Sequence, residues 1–168
     1  MKRYLLVIAL LLAVAPVYAQ YNEWEARADY KEKFAGVHNN FTWQRICPCD
    51  KGKDYIIAQI ASRVSVATIT ETLVIGKIED VALGAGASFS RGRLPWDGST
   101  LKADVTYTLI DGGYIVTASR IFYLNEAIDK SYSSVYGIIY NKRGDLRQRG
   151  DGDLRYFDNA FCDLLIFD

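Results

Sequence analysis

The chain has 168 residues, with 20 basic and 20 acidic side chains, half of its residues hydrophobic and twelve of them tyrosine. The even charge balance excludes a binder of phosphate backbones or anionic lipid driven by counterion release, and the apolar content excludes a disordered tail. The length suits one domain with a real core rather than two.

Lys2 and Arg3 precede an unbroken apolar run from Leu5 to Val14, and Val17-Tyr18-Ala19 supplies the small residues a signal peptidase needs. This pattern predicts a signal peptide over 1–19, cleaved after Ala19, and a mature chain that is secreted or periplasmic. The run is shorter than the roughly 20 apolar residues a membrane-spanning helix wants, so no transmembrane span is expected in the mature chain. Cleavage removes Lys2 and Arg3 and no acid, which leaves 18 basic against 20 acidic side chains.

Residues 22–34 read as a helix by composition, with a thin stripe of Trp24, Ala28 and Phe34, inside an N-terminal helical segment over 20–37. His38-Asn39-Asn40 breaks it, and a single α+β domain is expected over 38–168. Phe41-Thr42-Trp43-Gln44-Arg45-Ile46 alternates as a half-buried strand does. After a turn at 50–53, Asp54 could cap a helix whose Ile57, Ile60, Ala61, Val64 and Ala67 fall at helical spacing. From Ser65 to Ile75 the β-branched residues crowd together and periodicity does not separate helix from strand. Val81, Leu83, Ala85, Ala87 and Phe89 share one parity, a strand with a nearly bare second face at Gly84 and Gly86, and 91–100 is a loop around Trp96.

The clearest signal is the run 101–124. Leu101, Ala103, Val105, Tyr107 and Leu109 alternate with Lys102, Asp104, Thr106 and Thr108 up to Asp111-Gly112, the dipeptide of a two-residue type I′ hairpin. Pairing Ile110 with Gly113 sets Leu109 opposite Tyr114, Tyr107 opposite Val116, Val105 opposite Ala118 and Leu101 opposite Phe122. A slip of one residue would mix the faces. Residues 133–140 read as a further β-rich stretch and 141–153 as a polar loop. Tyr156, Phe157, Ala160, Phe161, Leu164 and Leu165 mark a terminal amphipathic helix. The whole is α+β: an antiparallel sheet with helices packed on one face.

Candidate chemistry is sparse. Cys47, Cys49 and Cys162 are an odd count in an exported chain, so one thiol at least stays unpaired. A disulfide would join Cys162 to Cys47 or Cys49, and three buried thiols is the plainer alternative. With His38, the only histidine, these cysteines could number four zinc ligands, but Cys-x-Cys is not the usual knuckle spacing. No metal or cofactor is therefore expected. No Gly-x-Ser-x-Gly elbow occurs, and triad chemistry would depend on that one histidine. No catalytic residue is assigned. Glu79, Asp80, Asp104, Asp111, Glu126 and Asp129 could include the carboxylate pair of a glycan hydrolase, although strand ends and turns place acids there anyway. Two Arg-Gly-Asp tripeptides, at 143–145 and 149–151, read as turns rather than adhesion ligands or a calcium loop.

The order of these elements, with the run Leu101–Asp111–Phe122, resembles a class of small secreted Gram-negative proteins. That class is a domain of unknown function whose fold is similar to the TATA-binding protein. The resemblance covers roughly 38–125 and implies a TBP-like antiparallel sheet. It supplies no catalytic residues, and Cys47-Pro48-Cys49 and the Arg/Gly/Asp loop depart from its pattern.

The expected function is an exported, non-catalytic binding or interaction domain, with a protein or glycan partner outside the cytoplasm and not nucleic acid. Its contact surface is expected on the exposed hairpin face, at Lys102, Asp104, Thr106 and Thr108, or in the loop around Trp96. The alternatives are the carboxylate-dependent glycan hydrolase and a carrier of a small apolar ligand, with a pocket beside Gly84 and Gly86.

Overall fold

The computed structural model describes residues 31–83, 99–124 and 131–167. The expected signal peptide, Trp96, Gly84, Gly86 and most of the helix expected over 22–34 lie outside these residues. Seven strands form one antiparallel sheet: β1 (Phe34–Ala35), β2 (Thr42–Pro48), β3 (Ser65–Ile69), β4 (Leu73–Ala82), β5 (Thr100–Ile110), β6 (Gly113–Leu124) and β7 (Ser133–Ser134). Their spatial order is β1-β2-β6-β5-β4-β3, with β7 paired to the far end of β6. Phe34 is thus a strand residue, paired with Trp43, rather than the end of a helix. The crowded stretch 65–75 resolves into β3 and the start of β4, which agrees with the stiffness of its β-branched side chains.

The hairpin takes the predicted two-residue turn. Ile110 pairs with Gly113, Leu109 with Tyr114, Tyr107 with Val116 and Val105 with Ala118, but the turn is not the expected type I′, which needs positive φ at both central residues: Gly112 has it, at 79°, and Asp111 does not. Beyond Asp104 the expected register fails. Leu101 faces Tyr123, not Phe122, because a bulge lies between Lys102 and Asp104. A second bulge interrupts the β4–β5 ladder between Ile78 and Val81. Asp80 and Arg120, at φ 52° and 49°, take the left-handed backbone at these two irregularities.

Helices α1 (Lys53–Ala61) and α3 (Gly150–Leu165) and the short turn α2 (Tyr136–Ile139) deliver their buried residues into one core. In α1 the N-cap is Gly52 and Asp54 lies in the first turn, where a carboxylate suits the helix dipole. Its inward residues are Ile56 and Ile60, continued by Val64; Ala61 and Ala67, expected inside, are exposed. The stretch 133–140 is mainly α2 rather than strand. Its stacked Tyr136 and Tyr140, ring centroids 4.8 Å apart, sit with Phe41 and Phe34, so a helical turn buries four aromatic faces that a strand would have split. Residues 150–153, expected in a loop, open α3; the Arg149–Asp151 tripeptide is therefore a helix start.

Helix α3 lies on the face that carries Trp43, Tyr107 and Tyr114. Phe161 stacks on Trp43 at 5.1 Å, and the Tyr107 hydroxyl donates to the carbonyl of Leu165 at 3.1 Å. After the helix, Phe167 stacks on Tyr114 at 4.7 Å. The Tyr114 hydroxyl donates to the Phe167 carbonyl at 3.1 Å and accepts from the Phe167 N–H at 3.0 Å. Burial pushes both tyrosine pKa values well up, so the hydroxyls stay protonated donors. Tyr114→Phe would leave both polar groups of a buried residue without this partner. It is expected to destabilise by about 1–3 kcal/mol, read as a lower urea midpoint at unchanged slope.

Candidate functional site

The sheet has a second face, onto which none of the described helices directs its buried residues. Three rows cross it. Ile46, Ile115, Thr108 and Leu73 form one row, and Gln44, Thr117, Thr106 and Ile75 the next. Thr42, Ser119, Asp104 and Lys77 form the third. Short β-branched side chains make the first two rows a low surface of methyl groups and hydroxyls, on which Gln44 Nε2 donates to Thr117 Oγ1 at 2.9 Å. Ile75 is 37% exposed there. The third row is charged and leads into a pocket.

That pocket has a volume of about 260 Å³ and is lined by Lys77, Ile78, Glu79, Lys102, Ala103, Asp104, Arg120 and Phe122. It sits where both bulges fall. A bulge adds a residue to one strand, turns the local side chains and opens the pleat. At this end Arg120 reaches back across the ladder to pair with Asp104. Lys102 lies over the Tyr132 ring, its ammonium 3.5 Å from the centroid, and 5.8 Å from that of Phe122. The Tyr132 hydroxyl donates to Asp80, and this bond raises the phenol's pKa.

Of the residues singled out in the sequence, Lys102 and Asp104 are in the pocket, and Thr106 and Thr108 continue from it along the same face. Glu79 joins Asp104 from the list of carboxylates. Trp96, and the glycines beside which an apolar ligand was expected, lie outside the described residues. Lys77, Arg120, Phe122 and Tyr132 were not foreseen. Their signal is a parity change: buried residues run Tyr114, Val116, Ala118 and then Ile121, and Val74, Ile78 and then Leu83. Each skip of an odd number of positions marks a bulge.

A second polar cluster lies inside the fold. Asp158 on α3 accepts from Trp43 Nε1 and Lys33 Nζ, both at 2.8 Å. One turn on, Cys162 Sγ accepts from Arg45 Nη1 at 2.9 Å. Burial pushes the Cys162 thiol's pKa up, which disfavours a reactive thiolate. Cys47, Cys49 and Cys162 form no disulfide in this structure. His38 is tilted against Tyr136 at 4.9 Å. Among the described residues no three His, Cys, Asp or Glu side chains are grouped to hold a metal. The first Arg-Gly-Asp is a tight turn, in which Asn141 Oδ1 accepts from the N–H groups of Arg143 and Asp145 and Gly144 takes φ 85°.

The chain is similar to the crystal structure of a DUF4468 family protein from Bacteroides ovatus ATCC 8483. Identity is 14% and the TM-score 0.45, over 82% of this chain and 91% of that one. It is also similar to a TBP-like protein from Parabacteroides distasonis ATCC 8503, at 15% identity and a TM-score of 0.42, over 77% of this chain and 93% of that one. These likenesses concern the fold alone. No family model and no curated protein matches the chain.

Proposed function

We propose that the protein is an exported, non-catalytic binding module that meets a partner outside the cytoplasm with the open face of its sheet. The observation that carries this is the asymmetry of the two faces. One is sealed by helices; the other presents Thr106, Thr108, Ile75 and Ile115 in rows that end at a charged pocket. Partly exposed β-branched rows beside a polar rim are a common form of interaction surface. Export rests on the leader pattern of residues 1–19. Among the described residues no helix is long and apolar enough to cross a membrane.

A photo-crosslinking side chain placed in turn at Thr106, at Thr108 and, as a control, at Asn159 on the exposed side of α3 tests this in intact cells. Thr106 and Thr108 are expected to give discrete adducts on the exported protein and Asn159 none. Absence of adducts from both sheet positions, or equal adducts from Asn159, overturns the proposal.

A further inference from the structure

We propose that the pocket at the bulged end of the open face is a saccharide subsite that takes a single neutral sugar ring. This deepens the binding-module reading and rests on it.

The pocket's lining mixes charges of both signs, Lys77, Lys102 and Arg120 with Glu79 and Asp104. Asp104 is paired with Arg120 and lies directly opposite Lys77 across the ladder. Lys102 is held against the Tyr132 ring. Glu79, two residues on from Lys77 on the same strand, lines the same pocket. A ligand of either charge would therefore lie against groups of its own sign. A hydroxyl has no such conflict, because it donates to a carboxylate and accepts from a cation at once. Two neighbouring hydroxyls can bridge Asp104 and Arg120 with neither losing its charge partner.

Phe122 completes the chemistry, as an apolar wall for the C–H face of a ring beside groups that orient its hydroxyls. The volume, about 260 Å³, falls just below the ~300–1,000 Å³ of pockets that enclose drug-sized ligands. A single ring fits that space. The backbone is also committed at this spot. Asp80 and Arg120 both hold left-handed φ, a conformation that costs of order 1–3 kcal/mol at a non-glycine residue and clusters at ligand sites.

The test is an amide-resolved NMR titration of protein purified from cells expressing the full chain. Glucose, galactose, mannose and N-acetylglucosamine are added separately, with sodium acetate and sodium phosphate as ionic probes. At least one sugar is expected to shift the amides of Lys77, Asp104, Arg120 and Phe122 saturably at millimolar concentration. Asp104→Asn and Phe122→Ala are each expected to weaken that binding at least tenfold, with the remaining spectrum unchanged, whereas Asn159→Lys on the exposed side of α3 leaves it intact. If no sugar moves these amides, or if acetate or phosphate moves them as strongly, the subsite is refuted. Crosslinks from Thr106 alongside a silent titration would refute this subsite alone. Sugar binding without crosslinks would refute the wider contact face.

Discussion

Asp158→Ala is expected to lower the unfolding free energy by about 3–5 kcal/mol, the range for removing one partner of a buried ion pair. The carboxylate is 8% exposed and accepts from a lysine that is itself only 15% exposed and from the buried indole of Trp43. Removing it strands a cation and a buried N–H together. It also unfastens three parts of the chain, since Lys33 precedes β1, Trp43 is on β2 and Asp158 is on α3. Trp43→Phe keeps the ring stacked on Phe161 and deletes the N–H alone, so its expected loss is smaller, about 1–3 kcal/mol. Guanidinium melts of both single variants and the double variant would show a coupling between them. Additive losses would mean that the indole and the carboxylate do not act as a pair.

The second large effect has the opposite sign. Asp153, in the first turn of α3, is 5% exposed, and burial raises its pKa from 3.8 to about 6, opposed by the charge of Arg149. Because the folded value lies above the ordinary one, the folded state holds the proton more tightly than the unfolded chain. Stability from this group is whole below the unfolded pKa of about 3.8 and is lost as pH rises through about 6. The loss is on the order of 2–3 kcal/mol once the group is ionised. Asp153→Asn keeps the shape and removes the ionisation. It is expected to melt later than the wild type at about pH 7 and together with it at about pH 4. An equal effect at both pH values would show that the side chain's packing, not its charge, is responsible.

Both residues show why parts of this protein were legible in its sequence and others were not. The hairpin could be read in full up to Asp104 because alternation and the Asp111-Gly112 turn are local, and a slipped register exposes every apolar side chain at once. Past Asp104 the same rule gave the wrong partner for Leu101. A bulge is an insertion into a pairing, visible only as a parity change that competing stretches of apolar sequence conceal. The stretch 133–140 was misread for a related reason. Tyr136, Ile138 and Tyr140 alternate as in a strand, yet the aromatic cluster with Phe41 rewards a helical turn. The start of α3 hid behind Gly150 and Gly152, which have low helix propensity, and it forms because Leu154, Phe157 and Phe161 reach the core from there.

By itself the sequence determined an α+β chain with an antiparallel sheet, the register of its central hairpin as far as Asp104 and an apolar face for its last helix. Each of these follows from periodicities that neighbouring residues enforce. The tertiary structure alone decided that Asp158 would meet Lys33 and Trp43, and that two bulges would bring Lys77, Asp104, Arg120 and Phe122 around one pocket. Such meetings join residues distant in the chain, and their free energy comes from desolvation and charge pairing that exist only once the core has closed.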